Sequence, residues 1–388
     1  MTLLSSLSLK LSGRKAATGH WLTSTPYTHI AFDRQSLETQ GPVSINLHHT
    51  AYAPDTTAFR SSSITSANGP LDLSLNLTNL ADGFNVNKWV IFRAPADPAI
   101  GFSRSTITGT SLDDRLAINV KEIVNFGYLE SLVAKGFEGG TINMGAGNDS
   151  LSITTQVDST KFQHFLYGVR GTSIAARGTI DMGSGDDTVS LTAKANAVTW
   201  GEAIAFQGKM NLGDGNDRAS FITDITGSKS GTESFGMQYS TVDAGAGDDD
   251  ILIGTMRDSR INLGDGNDSL TCYGSQSQTD FLRSTIDGGA GIDQLVINTS
   301  RWDELVAAKD SRLGQLESLY GQGGAFGRQG LSAEQSYFAR QFDIQNKQLG
   351  SVGNDRSDSF TWQGGTFTNI EQIAVAGAIF DTSTSSFI

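Results

Sequence analysis

Ile142-Asn143-Met144-Gly145-Ala146-Gly147-Asn148-Asp149-Ser150-Leu151-Ser152-Ile153 is the stretch whose reading decides the fold. Apolar residues alternate with polar ones on both sides of a glycine-rich break, at Ile142 and Met144 and again at Leu151 and Ile153. Alternation with a period of two is the signature of a strand with one buried face, so the segment reads as strand, tight turn, strand. The glycines permit the positive φ angles that such a turn requires.

The unit recurs six times, beginning at Ile142, Ile180, Met210, Val242, Ile261 and Ile286. Its fixed positions are two glycines and an aspartate. They are Gly145, Gly147 and Asp149; Gly183, Gly185 and Asp187; Gly213, Gly215 and Asp217; Gly245, Gly247 and Asp249; Gly264, Gly266 and Asp268; and Gly289, Gly291 and Asp293. Asn148, Asp186, Asn216, Asp248 and Asn267 precede the aspartate in the first five copies, and Asn143, Asp181, Asn211, Asp243, Asn262 and Asp287 open the units. A decayed seventh copy precedes them, with Ile107, Asp114, Leu116 and Ile118 in place and its glycines largely replaced; it is expected to keep the strands without a good ion site. The aspartates are separated by 38, 30, 32, 19 and 25 residues. Such intervals suit coils of two to three strands with loops of variable length, stacked about 4.8 Å apart.

Stacking puts carboxylate above carboxylate, an arrangement relieved by protonation or by cations between the rungs. Calcium takes six to eight oxygen ligands from carboxylates and carbonyls, and a glycine-rich turn with an aspartate offers both. The six turn aspartates, the two glycines of each copy and the residues just before the aspartate in the first five copies are therefore candidate Ca2+ ligands, the glycines through their carbonyls. The competing reading is a metal-free turn, since Gly-Asn-Asp turns and stacked asparagines hydrogen-bond well without an ion.

At these residues the chain resembles the RTX (repeats-in-toxin), or hemolysin-type, calcium-binding family, whose unit is Gly-Gly-x-Gly-x-Asp-x-apolar-x. Gly288-Gly289-Ala290-Gly291-Ile292-Asp293-Gln294-Leu295-Val296 matches it throughout. The other five copies lack the first glycine, with Met144, Met182, Leu212, Ala244 and Leu263 there. An echo lies at Gly364-Gly365-Thr366-Phe367-Thr368-Asn369-Ile370-Glu371. The resemblance implies calcium-driven folding and type I export, hence an extracellular or cell-surface location. The copies are not in tandem as in that family, which argues for one ion column on one edge of a wide solenoid.

Composition narrows the function. The 388 residues carry a formal charge of −13, which disfavours nucleic acid and anionic membranes as partners. Cys272 is the only cysteine, so there is no internal disulfide and no cysteine-based zinc site. No apolar run approaches the ~20 residues needed to cross a bilayer. The N-terminal Leu7, Leu9 and Leu11 read as one face of a strand, in preference to an export signal. Leu71, Leu73, Leu75 and Leu77 alternate in the same way, as do Val43, Ile45 and Leu47. Trp302, Leu305, Val306, Leu313, Leu316 and Leu319 follow helical spacing, and a second helix is expected to start after Ser332 with Glu334 and Gln335 in its first turn. His48 and His49 would point to opposite faces of a strand, a poor metal pair. Neither a zincin motif, a nucleophile elbow nor a phosphate loop occurs. The best local catalytic cluster is Lys161, His164, Tyr167 and Arg170, for which a solvated strand and loop is the better reading.

The expected fold is all-β, a right-handed parallel β-solenoid with a small helical insertion near the C-terminus. Residues 1–100 are expected to form a β-rich segment or cap, 101–300 the solenoid with its calcium turns, 301–350 the helical excursion, and 351–388 C-terminal strands with a possible secretion signal. The expected function is non-catalytic: structural, surface-layer or adhesive, with calcium bound and cell-surface polysaccharide or a second copy as further partners. The alternatives are a polysaccharide lyase or epimerase on the same scaffold and a subunit of an extracellular filament.

Overall fold

The computed structural model describes residues 2–4, 7–12, 22–25, 28–51, 55–81, 99–124, 132–158, 169–172, 178–196, 201–226, 233–273, 281–297, 319, 330–333, 335–340, 359–375, 377–382 and 386–388. It is an all-β parallel solenoid. The chain divides into two compact units, Met1–Asp214 with Arg218–Thr241, and Gly215–Asp217 with Val242–Ile388.

In the first unit each coil has three straight segments. Strand Ala99–Thr110 holds two of them, bent at Arg104, and strand Arg115–Val124 is the third. The next coil repeats the pattern with Leu132–Gly145 and Ser150–Asp158, paired in parallel and in register: Ile107 lies beside Ile142 and Leu116 beside Leu151. Inward residues therefore stack into columns. One runs Val43, Leu73, Leu116, Leu151, Val189; another runs Ile45, Leu75, Ile118, Ile153, Leu191. Phe32, Phe59, Phe102 and Phe137 form an aromatic column with ring centroids 4.5, 4.6 and 6.3 Å apart. The expected strands at Leu7–Ser12, Val43–Ala51 and Asp72–Ala81 belong to this same parallel stack. A strictly alternating sequence can bury one face only against neighbours of the same kind, and the stack supplies them on both sides.

The second unit is built alike. Ile251, Leu270, Leu295 and Ile373 form one column, and Ile253, Cys272, Ile297 and Val375 the next. Cys272 is thus a buried core residue. The parallel stack ends in antiparallel strands. Ser359–Trp362 folds back on Gly365–Thr368, and Ala378–Asp381 on Gln372–Val375, followed by Ser386–Phe387. A short helical segment at 335–340 packs Phe338 onto Trp362 (4.9 Å) and Phe380 (5.4 Å). It starts where expected. The Ser332 hydroxyl accepts the Gln335 N–H at 3.2 Å, and the Gln335 side chain accepts the Ser332 N–H at 2.9 Å. This reciprocal cap satisfies two amides that a helix start leaves without partners. The first expected helix lies outside the described residues apart from Leu319.

Two corners of the coil are tight and one varies. The glycine-aspartate turn joins the second segment to the third in the coils of its six copies, and short turns such as Gln40-Gly41-Pro42 do so in the first coils. The corner between the first and second segments is a single residue in left-handed conformation, such as Ser61 (φ 49°), Arg104 (49°), Tyr239 (51°), Asp258 (49°) or Arg283 (50°). Each is followed by a buried serine, Ser62, Ser105, Ser240, Ser259 or Ser284. The serine hydroxyl accepts a backbone N–H of the coil below: Gln35 N–H to Ser62, Ser62 N–H to Ser105 and Gly208 N–H to Ser240 in the first unit, Ser259 N–H to Ser284 in the second, at 3.2–3.3 Å. The largest variation in coil length falls between the third segment and the next coil, from Gly254-Thr255 to residues 82–98, and the flanking segments vary with it. The third is Ser150–Asp158 in the first unit but Asp250–Ile253 in the second, and the first is Glu233–Gln238 in the first unit but Met256–Arg257 in the second. This is why the aspartates are unevenly spaced.

Two buried polar features interrupt the first unit's core. His49 Nδ1 lies 2.8 Å from Asn79 Oδ1 and 3.0 Å from the Thr56 hydroxyl, and the Asn79 amide donates to both Glu122 carboxylate oxygens at 3.0 and 2.9 Å. His48 faces the other side of the strand, as its position predicts. Thr155 occupies the column of Leu47, Leu77, Val120 and Ala193, and its fully buried hydroxyl makes no hydrogen bond.

The structure makes two expectations for equilibrium urea unfolding. Thr155→Val removes an unsatisfied hydroxyl at nearly constant volume, so it stabilises by about 1 kcal/mol. Gly183→Ala destabilises by about 1–3 kcal/mol or more, because Gly183 sits at φ 106° and its new Cβ would lie 1.6 Å from the Gly145 carbonyl oxygen. Gly41→Ala, at φ 77° with open space around it, carries the conformational part of that cost alone.

Candidate metal centre

The turn aspartates are inside the protein. Asp149, Asp187, Asp217, Asp249, Asp268 and Asp293 are all 0–2 % exposed. The carboxylates of Asp149, Asp187, Asp249, Asp268 and Asp293 reach toward the preceding coil. In the first unit the Asp114 N–H donates to Asp149 Oδ1 and the Asp149 N–H to Asp187 Oδ1, both at 2.7 Å. In the second, Asp217 N–H donates to Asp249, Asp249 N–H to Asp268 and Asp268 N–H to Asp293, at 2.8, 2.8 and 2.9 Å. The Asp293 N–H ends the run on Glu371 Oε2 at 2.8 Å. The C-terminal echo is therefore a true coil, with Glu371 at the aspartate position.

A second ladder runs beside the first in the opposite direction. The Asn148 side-chain oxygen accepts the Asp186 N–H (3.0 Å). In the second unit Asn216 accepts from Asp248 (2.8 Å), Asp248 from Asn267 (2.8 Å) and Asn267 from Ile292 (3.1 Å). In the pairs Asn148-Asp149, Asp248-Asp249 and Asn267-Asp268 both residues thus bind backbone with one oxygen. These bonds are the metal-free turn chemistry weighed from sequence, and each is present.

They leave one oxygen over. In Asp149, Asp249, Asp268 and Asp293 the second carboxylate oxygen, Oδ2, is buried and accepts no hydrogen bond. The decayed turn provides a contrast. Asp114, equally buried, has both oxygens engaged, Oδ1 by the Leu71 N–H and the Thr110 hydroxyl and Oδ2 by the Thr110 N–H. A buried anionic oxygen without a donor is costly, and a cation is one means of relieving it. Each of these four carboxylates therefore offers a spare hard oxygen of the kind calcium takes. The glycines cannot be exchanged for larger residues, because each coil's turn carbonyl abuts the next glycine's Cα. A Cβ on Gly185 would meet the Gly147 oxygen at 2.1 Å, and one on Gly264 the Gly245 oxygen at 1.9 Å. Among the described residues no three His, Cys, Asp or Glu side chains converge on one point. Any ion here would thus depend on carbonyls as much as on carboxylates.

Burial dominates the electrostatics. It pushes the Asp149 and Asp249 carboxyls up to about 7 and Asp293 to about 6, and it raises Asp268. The backbone N–H donated by the preceding coil opposes the shift, and the neighbouring carboxylates add to it.

Of the other sequence candidates, Lys161, His164 and Tyr167 lie outside the described residues, and Arg170 is on strand Val169–Thr172. The serine corner and the His49–Asn79–Glu122 chain were not foreseen. The first had a signal, a serine or glycine two residues before the apolar residue that opens each unit, as at Ser105, Gly140, Gly178, Gly208 and Ser240. Comparison of the chain with protein-family models, curated proteins and solved structures found no match in any of the three.

In chelator, thermal stability is expected to fall as pH rises from about 4 through about 7. The folded carboxyls hold their protons more tightly than the unfolded ones, so folding takes up protons in that window and the associated stability is lost above it. Asp249→Asn keeps an oxygen for the Asp217 N–H but cannot titrate, and it flattens part of the slope. Melting curves at constant ionic strength from pH 5 to 8 measure both.

Proposed function

We propose that this chain is a calcium-stabilised β-solenoid of the RTX type, exported to the cell exterior, where it serves a structural, surface-layer or adhesive role. One observation carries the reading: Asp149, Asp249, Asp268 and Asp293 each keep a buried carboxylate oxygen without a donor, whereas Asp114, in the turn that lost its glycines, does not. These four aspartates, with the carbonyls of their own turns, would hold the ions. Calcium suits them because it accepts mixed carboxylate and carbonyl oxygens in flexible geometry, whereas magnesium demands a near-ideal octahedron. Bound calcium would neutralise buried negative charge and stabilise the folded coil by mass action.

A non-catalytic role is supported by what the buried polar groups do. The turn carboxylates are spent on backbone amides, and His49, Asn79 and Glu122 on one another. The acidic surface favours a cation-rich exterior or a neutral polymer over nucleic acid.

Melting in Ca2+, in Mg2+ and in excess chelator at pH 7.5 tests the ion. Calcium is expected to raise the transition well above the other two. Each occupied site contributes about 2.7 kcal/mol at a hundred times its dissociation constant. Superimposable curves in calcium and chelator would sink the metal reading. Incubation with acidic polysaccharides is expected to give no unsaturated-uronate absorbance, and its appearance would replace the structural role with a lyase.

A further inference from the structure

The turn preceding the aspartate ladder of the first unit contains the chain's one Asn-Gly step, Asn68-Gly69. Asn68, Gly69 and Pro70 are exposed. The turn is held from both sides. The Ala67 N–H donates to the Thr39 carbonyl at 2.9 Å, and the Ser66 hydroxyl donates to the Gly69 carbonyl at 2.8 Å. Gly69 itself sits at φ 85° with no heavy atom within 4 Å of the place a Cβ would take. Its N–H makes no hydrogen bond among the described residues.

We propose that Asn68 is a site of spontaneous deamidation, converting to aspartate and isoaspartate in the folded protein. The Gly69 amide nitrogen loses its proton and attacks Asn68 Cγ. A carbon–nitrogen bond forms, the Cγ–Nδ2 bond breaks, and Nδ2 departs as ammonia after taking up a proton. Water then opens the resulting five-membered imide at either carbonyl. No oxidant or cofactor is needed. Glycine at position 69 matters because a side chain there would crowd the attacking nitrogen.

The aspartate turns show why their own exposed asparagines are spared. Asn148, Asn216 and Asn267 also lie in exposed turns, but the amide that would attack each is already committed. Asp149 N–H is held by Asp187 at 2.7 Å, Asp217 N–H by Asp249 at 2.8 Å and Asp268 N–H by Asp293 at 2.9 Å. The attacking N–H must leave a charged acceptor before it can react. That protection corresponds to roughly ten- to a hundredfold in rate, about 1.5–3 kcal/mol.

The modification has a structural address. Position 68 is three residues before Leu71, whose N–H donates to Asp114 and begins the first unit's ladder. Isoaspartate inserts a methylene into the main chain of this turn, and either product adds a negative charge beside it.

The test is peptide mass mapping of the full chain after incubation at pH 8.5, with an isoaspartyl methyltransferase assay alongside. Conversion is expected at Asn68, faster at higher pH, and at least about tenfold faster than at Asn148, Asn216 or Asn267. Asn68→Gln is expected to abolish the methyl-accepting signal, and denaturant should bring the ladder asparagines closer to the rate of Asn68. Equal rates at Asn68 and the ladder asparagines in the folded protein would overturn the proposal, as would an isoaspartyl signal that survives in Asn68→Gln.

Discussion

A backbone N–H of one coil donated to the aspartate carboxylate of the next is the contact on which the rest of this protein depends. It fixes the height of the turn, because the carboxylate reaches its donor only at the rung spacing. It fixes register, since a slip of one residue would put Asn148 or Ser150 where Asp149 belongs and turn the core columns outward. It also pulls the carboxylate inside. Everything unusual about the turns, from the close-packed glycines to the raised carboxyl affinities for protons, goes with drawing an acid into the buried interior.

Much of this was legible in the chain. Six copies of Gly-x-Gly-x-Asp placed between alternating apolar residues are enough to specify a parallel stack, because Ile142, Ile180 and their equivalents can be buried only beside one another. The decayed copy at Ile107–Asp114 and the echo ending at Glu371 both occupy their anticipated coils. The serine corner was readable too, but Ser62, Ser105 and Ser240 alternate with glycines at the same position, and the two residue types share only the ability to sit tightly beside a left-handed residue. The His49–Asn79–Glu122 chain was not readable. Its members are 30 and 43 residues apart, and no local pattern reveals that three polar residues will face one another inside an apolar stack. The antiparallel closure was hidden for a related reason. A strand that folds back has the same alternation as one that continues.

The two ladders divide the work of each turn. One oxygen of each pair member serves the backbone, which any amide could do equally well, and Asn148 and Asn216 are amides. The neighbouring position is aspartate in all six copies, although asparagine would satisfy the same N–H. An amide in that place would put a donor, Nδ2, where the carboxylate has its spare acceptor oxygen, and would remove the negative charge. The preference for a carboxylate therefore concerns the second oxygen, and protonation or a divalent ion are the two ways to make that oxygen comfortable. Asp114 takes neither, because Thr110 turns its own N–H inward.

Placing most of the variation in coil length between the start of the third segment and the end of the next coil's first segment separates what the chain can change from what it cannot. A segment as short as Gly254-Thr255 and one as long as residues 82–98 join the same kinds of strand. Insertions at that corner leave the core columns, the serine corner and the aspartate ladder in place. New surface chemistry can thus be added to one edge at little thermodynamic cost, since loop closure grows only slowly with length. The scaffold can in this way be fitted to different partners by rewriting the loops at that corner.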